Sequence, residues 1–468
     1  MGDGTQVVAK LPNPNAGAAH FTTASEVATM EFMREVLKTP TPKVYEWSSR
    51  AEDSAVGAEY VIMEKIAGVP LEDVWARLEI ADRFKIVKTI ARYQKSWMST
   101  SFNQFGSLYY RKDLEGCDRE APLYVDQNGA VVTSKRFAVG PSTGREFFDD
   151  GRASIEFNRG PWPYLETYLS AIGNREINCV KNLSQLPKSP VGLYGPGTYQ
   201  PTREKKLEAI QAYLKVFKYL CPIDPSITSP CLWHDDLHVG NILVNPDIPT
   251  EVVGIIDWQS TELAPLFYHA RQPHLLDYDG PLVEGLDRPT EPRNMDHLGP
   301  DEQRAAWMLY YKRSLSALYK ALINKQIPRL YHALEYQSSP GFNFLLLARN
   351  LLIDGEATYL AQVVELEKSW ADLPGVIAHG RPPFPFSFSD EEAAKIESDM
   401  NGALSGMNAM QSIKDSLGDM FPEQGIVRPE QYEEAKDALR QAKEFILETF
   451  ASNESERQAW EEAWPFDN

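Results

Sequence analysis

Trp233-His234-Asp235-Asp236-Leu237-His238-Val239-Gly240-Asn241-Ile242-Leu243-Val244, followed by Val253-Gly254-Ile255-Ile256-Asp257-Trp258, is the stretch whose reading decides the fold. Asp236 sits in a His-x-Asp group, Asn241 follows it, and Asp257 ends an apolar run. Phosphoryl transfer needs these parts: a carboxylate to orient an attacking hydroxyl, and oxygen ligands to hold Mg²⁺ against nucleotide phosphates. Ile242 to Val244 and Val252 to Ile256 read as two strands, with Asn245 to Thr250 as their turn. Asn241 and Asp257 then stand at opposite ends of one hairpin. Asp236 is read as the catalytic base, and Asn241 and Asp257 as metal ligands. Mg²⁺ keeps several waters, so two protein ligands plus phosphate oxygens suffice. An H-x-D or an I-D-W alone is a weak signal; the whole set is a strong one. The competing reading of Asp236 and Asn241 is a polar turn capping a strand. His234 is expected to hold the loop by hydrogen bonds, and His238 is read as a surface or loop-packing histidine without chemistry.

Composition narrows the function further. The chain has 468 residues, 43% of them hydrophobic and 11% aromatic, which indicates a globular protein with a sizeable core. A formal net charge of -19 argues against a general nucleic-acid binder, because no basic excess exists to neutralise phosphates. Cys117, Cys179, Cys221 and Cys231 form no C-x-x-C pair, so a zinc site is not expected and a reducing compartment suits the chain. No apolar run reaches membrane-spanning length; Phe342 to Ile353 is interrupted by Asn343, Arg349 and Asn350. Met1 to Gln6 shows no targeting segment, and Gln6 stands where a myristoylation pattern needs Ser or Thr.

Working outward, Thr5 to Lys10 reads as a strand preceded by an Asp3-Gly4 turn, so the chain is expected to begin inside a domain. A helix is predicted from Ala24 to Leu37, ended by Thr39-Pro40-Thr41-Pro42. Lys43 to Trp47 and Ala58 to Met63 read as strands. These compose a small β-rich lobe over residues 1–68. A mainly helical lobe is expected over 69–375. It includes a helix at Ile80 to Ser99, mixed signals from Cys117 to Trp162, and helices at Pro163 to Ile172 and Lys205 to Leu220. Residues 376–468 read as a linker, Arg381 to Phe386, and a helical extension. There Ser389 and Glu392 predict a capping box. Tyr432, Leu439 and Ile446 form a stripe at heptad spacing, read as a face packed on the domain. The class is α+β.

The central motif resembles that of the aminoglycoside phosphotransferase (APH) family of kinase-like enzymes, whose loop commonly reads H-G-D-L-H-x-G-N. Within the family, the chain is similar to the fungal branch typified by altered inheritance of mitochondria protein 9. Val8-Ala9-Lys10-Leu11-Pro12-Asn13-Pro14, Tyr60-Val61-Ile62-Met63-Glu64-Lys65 and Arg159-Gly160-Pro161-Trp162 carry that similarity. The resemblance implies a two-lobed, protein-kinase-like fold and transfer of the ATP γ-phosphate, with Mg²⁺, to a hydroxyl of a small-molecule acceptor. It makes Lys10 the lysine that holds nucleotide phosphates and Glu26 its partner. It puts Met63, Glu64 and Lys65 at the hinge where backbone groups meet adenine. Glu26 has a competing local reading as the end of a capping box begun by Thr23. Mitochondrial association is implied by the resemblance alone.

The sequence also departs from that family. The first two strands and their glycine-containing phosphate loop are missing, which predicts a truncated small lobe and an internal methionine as the start. Asp235 replaces the usual small residue beside the base and adds a carboxylate near the phosphates. The missing phosphate loop supports a competing class, a non-catalytic kinase-like binding or scaffold protein. The acceptor is not legible. Asp149, Asp150 and Glu156 are read as a solvated acidic surface, with recognition of a cationic acceptor as the alternative.

Overall fold

In this computed structural model the described residues are 4, 6–13, 17–116, 120–293, 295–421, 427 and 429–466. Asp3, Thr5 and Cys117, which figure in the expectations above, lie outside them. β-Branched and aromatic residues build a three-stranded antiparallel sheet from β1 (Val7–Lys10), β2 (Val44–Ser48) and β3 (Tyr60–Glu64). The order is β1-β3-β2, with Lys10 opposite Val61 and Val7 opposite Glu64. β1 is therefore an edge strand, and Val8 on it is 41% exposed. The helix α1 (Phe21–Glu35) starts three residues before the predicted Ala24. Its N-cap is His20, at φ 68°, with no side-chain cap hydrogen bond; His20 N–H and Thr23 Oγ1 both donate to the Glu59 carboxylate. The Thr23–Glu26 capping box therefore does not form. Glu26 faces away from the helix start and toward Lys10.

The chain divides into two compact units. The first comprises residues 1–149, 158–169 and 222–342. Besides the small sheet it holds β4 (Val69–Pro70), β5 (Thr100–Phe102), β6 (Ser107–Tyr110), β7 (Pro122–Asp126), β8 (Val131–Thr133), β9 (Phe137–Gly140), β10 (Pro230–Leu232), β11 (Ile242–Val244), β12 (Val252–Ile255) and β13 (Leu263–Pro265). The predicted hairpin is β11–β12, and β4 pairs on its outer edge. β10 pairs with β13, and β6 with β9. Helix Ile80–Trp97 presents Trp97 to the core, where Trp233 and Trp258 both meet it edge-on at 5.6 Å. All three indoles are at most 2% exposed, and Trp97 Nε1 and Trp258 Nε1 donate to Thr39 and to the Ile255 carbonyl. Each edge-to-face pair contributes about 1 kcal/mol beyond its buried area.

The second unit comprises residues 150–157, 170–221 and 343–468. It is helical, and charge is buried inside it. Glu176, fully buried, accepts from Arg152 through both carboxylate oxygens, from Arg175, and from the Leu352 N–H. Lys206 is buried against Glu356 at 2.9 Å, and Tyr199 donates to the same carboxylate. The stretch read as a linker is held along its length. Trp370 Nε1 donates to the Pro382 carbonyl, Phe384 packs on Trp370, and Lys215 sits over the Phe386 ring. Alternate residues turn inward because the segment is extended. The Ser389–Glu392 capping box forms as predicted, at the start of helix Asp390–Leu417. In helix Tyr432–Phe450, Ile446 and Leu439 join a core with Met410, Trp460 and Trp464, whereas Tyr432 is 54% exposed. The packed face is thus shorter than the heptad stripe. The class is α+β, as expected. Among the described residues, no helix is long and apolar enough to cross a membrane.

Candidate functional site

A cavity of about 640 Å³ opens in the first unit, within the usual size of small-molecule sites, roughly 300–1,000 Å³. Lys10, Glu26, Met63, Glu64, Lys65, Asn241 and Asp257 all line it, and Asp236 does not. Its apolar wall comes from Met30, Pro42, Ile66, Leu243 and Ile256. Strand β1, helix α1, the end of β3 and the β11–β12 hairpin therefore each bring a functional candidate to one space.

Charge is concentrated at one end. Lys10 Nζ lies 2.7 Å from Glu26 Oε1 and 3.0 Å from Asp257 Oδ1. The side chain of Glu26 is 4% exposed, that of Lys10 24% and that of Asp257 46%. Burial works against the Lys10 ammonium, but the carboxylates of Glu26 and Asp257 outweigh it and hold its pKa above the ordinary lysine value. Burial also pushes the Glu26 carboxyl up, against the pull of Lys10.

The loop and the strand end are tied through Ile256, the residue before Asp257. The Ile256 N–H donates to the Asn241 carbonyl at 3.0 Å, and the Ile256 carbonyl lies 2.9 Å from His234 Nε2. His234 is 3% exposed, and burial pushes its pKa down, so the imidazole is a neutral Nε2–H donor. This is the loop-holding part expected of it. Asp257 itself takes a left-handed backbone, φ 62°, which Asp tolerates better than most residues. Asn241 Nδ2 donates to the Asp236 carbonyl at 3.0 Å, so Asn241 does close the loop as a turn residue would. Its Oδ1 is left as the acceptor that a cation can use. His238 packs within the loop, where its Nδ1 accepts from Gly240 N–H. The Asp236 side chain is 66% exposed, and His238 Nε2 lies 3.7 Å from its Oδ2.

Among the described residues, no three His, Cys, Asp or Glu side chains cluster to cage a metal by themselves. The donors on offer are the amide oxygen of Asn241 and the carboxylate of Asp257, both hard oxygens on one cavity wall. That set fits Mg²⁺, which completes its shell with water and phosphate.

At the rim, the Glu64 N–H donates to the Lys43 carbonyl, and the Glu64 carboxylate accepts from Lys43 N–H and Arg34. Its N–H and side chain are thus spent on neighbours. Asp235 does not add its charge to the cavity wall. Its Oδ1 lies 3.8 Å from Nδ1 of buried His269, whose Nε2 is 3.3 Å from Cys231 Sγ. Burial pushes the Cys231 thiol up to about 12. Asp149 and Asp150 pair with Arg145 and Arg152. Sequence reasoning missed the three-tryptophan platform and the His269 contact. The tryptophans flanking the motif, Trp233 and Trp258, were the available signal; nothing local marks Trp97 or His269.

The family model described as "Phosphotransferase enzyme family", APH, matches residues 156–269. A subtelomeric hrmA-associated cluster protein of Aspergillus fumigatus is 28% identical, across 99% of this chain and 92% of the relative. Altered inheritance of mitochondria protein 9, mitochondrial, of Lachancea thermotolerans is 24% identical, across 82% of this chain and 64% of the relative. A solved structure of a thermostable mutant of aminoglycoside phosphotransferase APH(4)-Ia, in ternary complex with ADP and hygromycin B, is 12% identical. It covers 86% of this chain and 87% of its own, with a TM-score of 0.33. The match to the phosphotransferase family model thus spans the segment that carries Asp236, Asn241 and Asp257.

Proposed function

We propose that this chain is a kinase-like, ATP-dependent phosphotransferase acting on a hydroxyl of a small molecule. One observation carries the reading: Lys10, Glu26 and Asp257 meet in one cavity that also takes Asn241 and the strand end Met63–Glu64. The lysine lies 247 residues from Asp257 in sequence, so local structure does not account for the meeting.

In this reading the apolar wall of Met30, Pro42, Ile66 and Ile256 takes the adenine ring. Because the Glu64 N–H is spent, the backbone at Lys65 meets the base instead. Lys10, ordered by Glu26, holds the phosphates. Asn241 and Asp257 would hold Mg²⁺, which supplies charge neutralisation of the phosphate oxygens when bound. Asp236, exposed beside the cavity, accepts the acceptor's hydroxyl proton. The acceptor oxygen bonds to the γ-phosphorus as the bond to the β–γ bridging oxygen breaks, and ADP leaves. Neutral His234 keeps the loop and Asp257 in register throughout.

The names of the relatives add a location. Several yeast relatives are called mitochondrial, and we extend association with mitochondria to this chain on that ground alone. A second reading is a kinase-like binder without chemistry. The observation that favours it is the position of Asp236 outside the cavity lining.

The test is thermal melting with MgATP beside Asp257→Ala. Metal-dependent stabilisation in the wild type, lost in the variant, supports the nucleotide site. Its absence in well-folded wild-type protein sinks the reading. ATP hydrolysis that falls in Asp236→Asn separates the enzyme from the binder.

A further inference from the structure

We propose that the Lys10 ammonium is the resident cation of Asp257 in the nucleotide-free protein, and that it admits a divalent metal only together with a phosphate chain. This rests on the nucleotide reading of the cavity.

The geometry divides the two bonds of Lys10 unequally. Its partner Glu26 is 4% exposed and its partner Asp257 46%. Pulling Lys10 off Glu26 strands a carboxylate in the interior, whereas the Asp257 carboxylate already reaches water. Only the Asp257 arm is exchangeable. A divalent ion arriving alone must displace that arm while the ammonium gains nothing in return. It also finds few ligands, one amide oxygen of Asn241 and the carboxylate of Asp257.

A phosphate chain reverses both terms. It brings oxygens that complete the metal's shell. It also brings negative charge to receive Lys10, which keeps Glu26 and swaps Asp257 for phosphate. Metal and nucleotide are therefore bound as one unit, and Lys10 guards Asp257 between turnovers.

The experiment titrates Mn²⁺, followed by its paramagnetic resonance signal, with and without the non-hydrolysable ATP analogue AMP-PNP. The chains are wild type, Lys10→Met, and Lys10→Met with Glu26→Gln; the double variant leaves no buried carboxylate unpaired if the single one fails to fold. The double variant loses the Glu26 charge along with that of Lys10, but the ammonium in direct contact with Asp257 is gone, so Mn²⁺ alone should tighten by about tenfold. AMP-PNP should tighten Mn²⁺ strongly in the wild type and much less in the variant. Equal affinity of wild type and double variant for Mn²⁺ alone, with AMP-PNP still tightening the wild type, overturns this inference and leaves the nucleotide site standing. No effect of AMP-PNP on any chain overturns both.

Discussion

His234 shows how burial of one side chain sets the chemistry around it. The imidazole is 3% exposed, touches the Trp258 ring edge-on at 4.5 Å, and holds the carbonyl before Asp257. Its pKa in the folded chain lies below the ordinary 6.5. As pH falls, the unfolded chain therefore takes the proton first, and the stability present above pH 6.5 is lost below it. The slope from this one group approaches about 1.4 kcal/mol per pH unit at most. His234→Gln keeps a donor for the Ile256 carbonyl but cannot titrate. Denaturant unfolding at pH 7.5 and 5.5 should show a smaller loss in the variant than in the wild type. Equal losses would remove His234 as the source. Residues that act through chemistry were the most legible in the sequence. Asp257 and Asn241 were readable because a metal-binding pair must stand beside a strand. The partner of Asp235 was not readable, because His269 is brought to it by the β10–β13 pairing.

At the scale of elements, close backbone approach decides what the motif can do. Gly106 stands just before β6, its N–H and carbonyl both bond to Leu263, and Ser107 Oγ donates to the Thr261 carbonyl. The segment after Asp257 is fastened there. Gly106 has φ 146°, and a Cβ on it would sit 2.2 Å from the Gly140 carbonyl oxygen. Backbone cannot retreat as a side chain would. Gly106→Ala should cost about 3 kcal/mol, through strain and a broken β6 pairing. A change under about 0.5 kcal/mol by denaturant unfolding, the range of neutral surface changes, would contradict the packing described here. The elements were legible where periodicity and turn chemistry agree: the β11–β12 hairpin, helix Ile80–Trp97, and the Ser389 cap. The Thr23–Glu26 cap does not form because Thr23 Oγ1 donates to Glu59 and Glu26 accepts from Lys10, both partners distant in sequence.

Across the whole molecule, the second unit holds its charges inside. Lys206 is 1% exposed and bonds Glu356 and the carbonyls of Leu351 and Ile353. Lys206→Met should destabilise by about 3 kcal/mol or more, because it leaves Glu356 buried without its cation. Adding Glu356→Gln should recover part of the loss, and a double variant no better than the single one would refute the pairing argument. The net charge of -19 gave no hint of this network, since a formal sum is blind to burial. The division of the chain was hidden for a similar reason. Residues 150–157 join the second unit while their neighbours on both sides join the first.

By itself the sequence determined the α+β class, the motif that carries Asp236, Asn241 and Asp257, and the hairpin that sets two of them at its ends. Each of those follows from periodicity, turn residues and donor chemistry within a few tens of residues. Tertiary structure alone decided that Lys10 bridges Glu26 and Asp257, that Trp97 is the platform under both halves of the motif, and that Asp236 stands outside the cavity. Those contacts join residues far apart along the chain. They depend on which surfaces are buried together, and no local pattern encodes that.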